Sequence, residues 1–134
     1  MRKLLLIAAV AMLPGCAVYD AYMMTPYDSN EYKLAVEIRT DARKYRSQCE
    51  DTELSKKNAQ SIADKTQLFE FYSEHIPRNN NGASASRNLN EIAQGLLKRY
   101  NSGDKVSTTF CRLKFEGIEI GAVTLQSVLG KKPR

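Results

Sequence analysis

The segment that decides the fold of this chain is "CRLKFEGIEIGAVTLQSVL" (residues 111–129). Its apolar side chains recur at intervals of four and three residues without a break: Cys111, Phe115, Ile118, Ala122, Leu125 and Leu129. This spacing predicts one face of a helix over about five turns. A shorter alternation of apolar and charged residues over 113–120 favours a β-hairpin instead, and Gly117 and Gly121 each weaken a helix by about 1 kcal/mol relative to alanine. The longer pattern is the stronger one, so we predict a helix, in which the two glycines permit a neighbouring helix to approach, with a short β-hairpin as the alternative.

Three upstream segments show the same helical periodicity. The first follows Asp28 and Glu31, which have the spacing of a capping box, and runs to about residue 49. The second follows across "EDTELSKKNA" (50–59) and is stopped by Pro77, and the third spans roughly 85–101 after a loop, "RNNNGAS" (78–84). The predicted inward positions are Ala35, Ile38, Ala42, Tyr45 and Cys49, then Ala59, Ile62, Thr66, Phe69 and Ile76 with Leu68 and Tyr72, then Leu89, Ile92, Leu96 and Tyr100. Four such helices predict an all-α four-helix bundle over residues 28–130.

The first residues, "MRKLLLIAAVAMLPG", have the form of a secretory signal. A positively charged start precedes an apolar run from Leu4 to Leu13, which is too short for a bilayer that takes ~20 apolar residues. A buried core helix of this length would show polar positions on its outer face, and this run has none. We therefore predict a signal peptide over residues 1–15.

The next residue completes a second motif, because "LPGC" (13–16) resembles the lipobox of bacterial lipoproteins. The resemblance covers residues 1–16 only. It implies that Cys16 becomes the first residue of the mature chain, with diacylglycerol on its sulfur and an acyl chain such as palmitate on its amine. In this family an aspartate after the cysteine retains the protein in the inner membrane, so Ala17 implies the outer membrane. Several acyl chains make such an anchor stable, and we expect it to face the periplasm.

Residues 16–27 show no helical or strand pattern and are predicted to be a lipidated tether. The segment is rich in tyrosine and methionine, which favours either contact with the headgroup layer or packing against the domain as an arm.

Cys49 and Cys111 lie on the inward stripes of the first and fourth helices. Exported chains enter an oxidising compartment, where an even pair of cysteines commonly forms a disulfide. We therefore predict a Cys49–Cys111 disulfide, with two free buried thiols as the alternative. A metal site is not expected, because His75 is the only histidine and the cysteine spacing matches no zinc pattern.

The charge and the motifs argue against nucleic-acid binding and catalysis. The net charge is +5, and without Arg2 and Lys3 the chain has 18 basic against 15 acidic residues, or +3, which is too little for a nucleic-acid binder. The sequence has no glycine-rich phosphate loop, no Gly-x-Ser-x-Gly and no His-Glu-x-x-His. His75 is expected to cap a helix or lie on the surface, and the carboxylates at 50–53 and 116–119 are expected on solvated faces or caps. We predict no enzyme and no cofactor.

Two polar segments remain. Asn79, Asn80 and Asn81 form a candidate recognition loop, because amides donate and accept hydrogen bonds, or else a solvated connection. The basic tail, residues 131–134, either contacts anionic headgroups or is a soluble end.

These observations lead to one hypothesis and its rival. The hypothesis is a non-enzymatic outer-membrane lipoprotein that acts as an accessory component of the envelope and binds a protein partner. The rival is an inhibitor, immunity or exclusion lipoprotein that protects the envelope against a toxin or phage. A peptidoglycan-active enzyme is a third and weaker alternative.

Overall fold

The computed structural model describes residues 25–134, so the signal peptide, Cys16 and most of the tether lie outside the described residues. The described chain forms four α-helices: α1 (Ser29–Arg46), α2 (Thr52–Glu74), α3 (Asn80–Asn101) and α4 (Thr108–Leu129). The helix predicted around residues 111–129 is confirmed. The β-hairpin alternative is wrong, and no strand occurs between residues 25 and 134.

The four helices form an up-down-up-down bundle. α1 packs against α2 and α4, and α3 packs against the same two helices, so α1 and α3 are diagonal to each other, as are α2 and α4. The predicted all-α four-helix bundle is confirmed. Because the connections are short, the start of α1, the α2–α3 connection and the end of α4 lie at the same end of the bundle.

The core follows the predicted stripes most closely in α4, where all six predicted side chains are buried. In α2 and α3 the pattern holds only in part. Leu68 and Ile92 are 56% and 37% exposed, and Ser73 and Ala93 are buried in their helices instead. The prediction was wrong at these two apolar residues, because 3.6 residues per turn places them beyond the edge of the buried stripe.

Cys49 and Cys111 form a disulfide with a Cα–Cα distance of 5.8 Å. Cys49 lies just after α1, and Cys111 lies in the first turn of α4. The predicted pairing is confirmed, and the bond joins the two neighbouring helices that are most distant in sequence.

Gly121 and Gly117 differ in their surroundings. A Cβ atom at Gly121 would lie 2.9 Å from Cδ1 of Leu89, so the end of the Leu89 side chain from α3 packs beside Gly121. A Cβ at Gly117 would have no such neighbour within 4 Å. The contact at Gly121 is therefore made by a side chain of α3 and not by its backbone.

An ion-pair group joins α1 to α2. Lys65 Nζ lies 2.5 Å from Asp41 Oδ2 and 3.5 Å from Glu37 Oε2. Burial alone lowers the pKa of Lys65, but the hydrogen bond and charge of Asp41, together with those of Glu37, outweigh burial and raise the pKa above its ordinary value.

Candidate interaction surfaces

We call one end of the bundle the entry end, because the described chain begins there. It consists of residues 25–31, the α2–α3 connection at 73–82, and the chain after Leu129. Asp28 caps α1 by accepting a hydrogen bond from the Glu31 backbone N–H at 2.8 Å. Between α2 and α3 the chain turns through Arg78, whose φ of 62° lies in the left-handed region.

A closed polar cluster lies inside the entry end. The Glu31 side chain is fully buried, and Lys132 Nζ lies 2.7 Å from its Oε2 atom. Lys132 also donates to Asn79 Oδ1 at 2.8 Å, and Asn79 Nδ2 donates to Glu31 Oε1 at 2.6 Å. Each of the three side chains thus contacts the other two. A carboxylate in a protein interior needs such partners, because burying an unpaired charge costs several kcal/mol.

The cluster changes the interpretation of two predicted features. The capping box is present only in its first half, because Asp28 caps α1 while the Glu31 carboxylate turns inward to Lys132 and Asn79. The predicted loop over 78–84 is too long, because α3 already begins at Asn80. Asn79 is buried and holds the cluster together, whereas Asn80 and Asn81 are exposed.

The basic tail packs against the bundle. The backbone N–H of Tyr27 donates to the Pro133 carbonyl at 2.8 Å. The Arg134 guanidinium lies 5.1 Å from the centre of the Tyr27 ring, at the distance of a cation–π contact. Together with Lys132, these contacts join the two ends of the described chain.

A groove of about 740 Å³ opens beside the cluster, between the first turns of α3 and the last turns of α4. We call it the entry groove. Its apolar lining comes from Ala85, Leu125, Val128 and Leu129, and its polar lining comes from Thr25, Arg78, Asn79, Asn80, Asn81, Thr124 and Lys132. All three asparagines of the predicted recognition loop therefore lie at this groove.

The second surface is the outer face of α4, which we define by Leu113, Ile120, Val123 and Val128. These side chains are 62%, 60%, 39% and 54% exposed. From residue 117 to residue 128 the only charged residue is Glu119. Its side chain is only 15% exposed and lies 3.3 Å from Arg46 of α1, away from this face. A row of exposed apolar side chains, roughly 22 Å long at 1.5 Å per residue, therefore faces outward. Half-exposed Glu116 lies between Leu113 and Ile120, and the part after residue 117 carries no charge, with Thr124 and Ser127 as its exposed polar residues.

The residues considered for catalysis serve instead as helix caps and as partners of ion pairs. His75 is the C-cap of α2, is exposed, and its Nδ1 lies 2.7 Å from the Phe71 carbonyl oxygen. Asp51 caps α2 by accepting from the Leu54 N–H, and Glu50 pairs with Arg112 at 2.8 Å. Within residues 25–134 no group of histidine, cysteine and carboxylate side chains is placed to hold a metal ion. None of the four helices is both long and apolar enough to cross a membrane.

Glu31 and Lys132 were not predicted, although the sequence carries a signal for both. Glu31 lies four residues before Ala35 and so extends the buried stripe of the first helix. Lys132 lies three residues after Leu129 and extends the stripe of the fourth helix in the same way.

Gly82→Ala tests the packing of the cluster. A Cβ at this position would lie 2.4 Å from Asn79 Oδ1, so the Asn79 amide must move away from Glu31 and Lys132. We expect a loss of about 1–2 kcal/mol in the free energy of unfolding, measured by urea denaturation. Gly95→Ala is the control on the same helix, because its Cβ would meet nothing within 4 Å; it should add up to about 1 kcal/mol. Equal changes in the free energy of unfolding for Gly82→Ala and Gly95→Ala would contradict the close contact between position 82 and the Asn79 amide.

Comparison of the chain with protein-family models, curated proteins and solved structures returned no match.

Proposed function

We propose that this protein is a lipid-anchored accessory protein of the bacterial envelope that binds a protein partner through the outer face of α4. The proposal combines the lipobox-like residues 13–16, which imply a lipid anchor at Cys16, and Ala17, which implies the outer membrane, with that face. The single observation that carries partner binding is the exposure of Leu113 and Ile120, each at least 60% exposed, on the outer face of α4.

The energetics of this face favour a partner with an apolar, uncharged surface of its own. Burying one leucine or isoleucine side chain contributes about 1.5–3 kcal/mol. Charged residues usually interrupt the outer face of a solvated helix, but between Gly117 and Val128 none points outward from α4. A partner that covered this part of the face would bury apolar area without having to desolvate a charge on α4.

Photo-cross-linking in intact cells tests this surface. A photoreactive residue in place of Ile120 should capture one stoichiometric envelope protein, identified by mass spectrometry after detergent extraction. Leu113→Asp should reduce the recovery of that partner at least tenfold while the bundle stays folded. Leu68→Asp is the matched control, because Leu68 is 56% exposed but lies on α2, diagonally across the bundle from α4. No captured protein, or equal losses in both variants, would refute the proposed surface.

The identity of the partner separates the main proposal from its rival. A component of envelope assembly supports the accessory role, whereas a toxin or phage protein would assign the inhibitor or immunity role.

The lipid anchor has its own measurement. The intact mass of the membrane-extracted protein should show acylation at Cys16 and the loss of residues 1–15. An unmodified Cys16 with the leader still attached would refute the anchor and leave the protein-binding surface open to test.

A further inference from the structure

The entry groove lies where the predicted tether joins the bundle. Thr25, the first described residue, is buried in the wall of the groove, and its hydroxyl donates to the Arg78 carbonyl at 2.5 Å. Two residues later, the Tyr27 N–H binds the Pro133 carbonyl. These two hydrogen bonds hold the chain on both sides of Pro26, so the described chain enters the bundle at the groove wall.

The composition of the preceding segment matches the groove. Residues 17–24, "AVYDAYMM", contain one charged residue, Asp20. The groove offers apolar contacts from Ala85, Leu125 and Val128, and exposed amides on α3 that can donate hydrogen bonds to, and accept them from, a peptide backbone. Leaving two tyrosines, two methionines and a valine in water beside an open apolar groove would forgo the free energy of burying them.

The length of the segment also fits. Eight residues extend to at most about 28 Å. The part of α4 that lines the groove, from Thr124 to Leu129, rises only about 8 Å. A covalently attached segment also has an effective concentration near the millimolar range, which favours it over a second copy of the chain or a free ligand.

We propose that residues 17–24 of this chain occupy the entry groove. The segment then acts as a packed arm. If Cys16 is acylated, as the proposed function requires, the arm holds the entry end of the bundle close to the membrane surface. The outer face of α4 shares Val128 with the groove, and its other residues, Leu113, Ile120 and Val123, remain free for a partner.

Cross-linking from the groove rim tests the arm. A photoreactive residue in place of Asn81, which is exposed at the groove, should form an intramolecular cross-link to residues 17–24 in the purified membrane-extracted protein. Peptide mapping by mass spectrometry identifies the cross-linked residues. The same photoreactive residue in place of Glu91, exposed ten positions further along α3, is the control and should not reach the segment.

Substitution of the arm gives a second, independent measurement. Tyr19, Tyr22 and Met23 all changed to serine should lower the yield of the Asn81 cross-link at least tenfold, with the helical circular dichroism unchanged. A cross-link to a second copy, to another protein or to lipid would overturn the proposal, and so would the lack of a cross-link. The test of the arm does not depend on acylation, because the cross-link from position 81 to residues 17–24 is equally expected in a Cys16→Ser chain.

Discussion

Replacement of both Cys49 and Cys111 by serine is expected to lower the free energy of unfolding by about 4 kcal/mol, as the chain-entropy model predicts for a loop of this length. The disulfide joins residues separated by 62 positions and encloses α2 and α3. Without the bond, the unfolded chain regains the entropy of that loop. Because small domains have a net stability of only about 5–15 kcal/mol, the loss would bring the bundle close to unfolding at physiological temperature.

Urea denaturation followed by circular dichroism measures this loss. Wild-type protein treated with a reductant should reach the stability of the serine variant, whereas the variant itself should not respond to the reductant. Identical midpoints for oxidised wild-type protein and the variant would contradict the prediction. The result also bears on the proposed location, because a stability that depends on this bond requires an oxidising compartment.

Lys132→Met is expected to cost about 3–5 kcal/mol, because it leaves the fully buried Glu31 carboxylate without its cation. Methionine keeps most of the lysine stem, so the loss arises mainly from the charge. Glu31→Gln combined with Lys132→Met should recover a large part of the stability, because the buried negative charge is then gone and the new amide at position 31 still has Asn79 beside it. Together with wild-type protein and the single Glu31→Gln variant, these chains form a double-mutant cycle that isolates the pair.

Lys131→Met is the matched control for this prediction. Lys131 is the adjacent residue and is exposed, so its replacement should change the free energy of unfolding by less than about 0.5 kcal/mol. If Lys131→Met and Lys132→Met had the same effect, the cluster would not stabilise the entry end. A loss confined to Lys132 would show that the basic tail belongs to the folded domain.

The features that were predicted correctly depend on residues close together in sequence. The fourth helix follows from six apolar residues spaced at four and three, and all six are buried. Asp28 caps the first helix by accepting a hydrogen bond from the backbone N–H of Glu31, only three residues further along the chain. The disulfide was predicted because both cysteines fall on inward stripes and only one pairing exists once Cys16 is set aside.

The features that were missed depend on which residues meet in space. Leu68 and Ile92 were predicted to be buried because they are apolar, yet they lie beyond the edge of the stripe that neighbouring helices cover and are exposed. Asn79 was considered as part of an exposed loop, but its amide lies between the buried Glu31 carboxylate and the Lys132 ammonium group. The entry groove was not predicted, because its walls come from two helices and from residues at both ends of the described chain.

The sequence by itself determined four helices, most of their buried positions and the cysteine pair, and the envelope location implied by residues 1–16 stays a prediction. Helical periodicity and capping operate over three or four residues, so they can be recognised without a structure. Only the tertiary structure decided that Glu31, Asn79 and Lys132 share one site, because they are 48 and 53 positions apart and meet only when antiparallel helices bring their ends together. It also decided that the tail is packed and that a groove opens where the chain enters the bundle, since both depend on the alignment of helix ends, which no local pattern encodes.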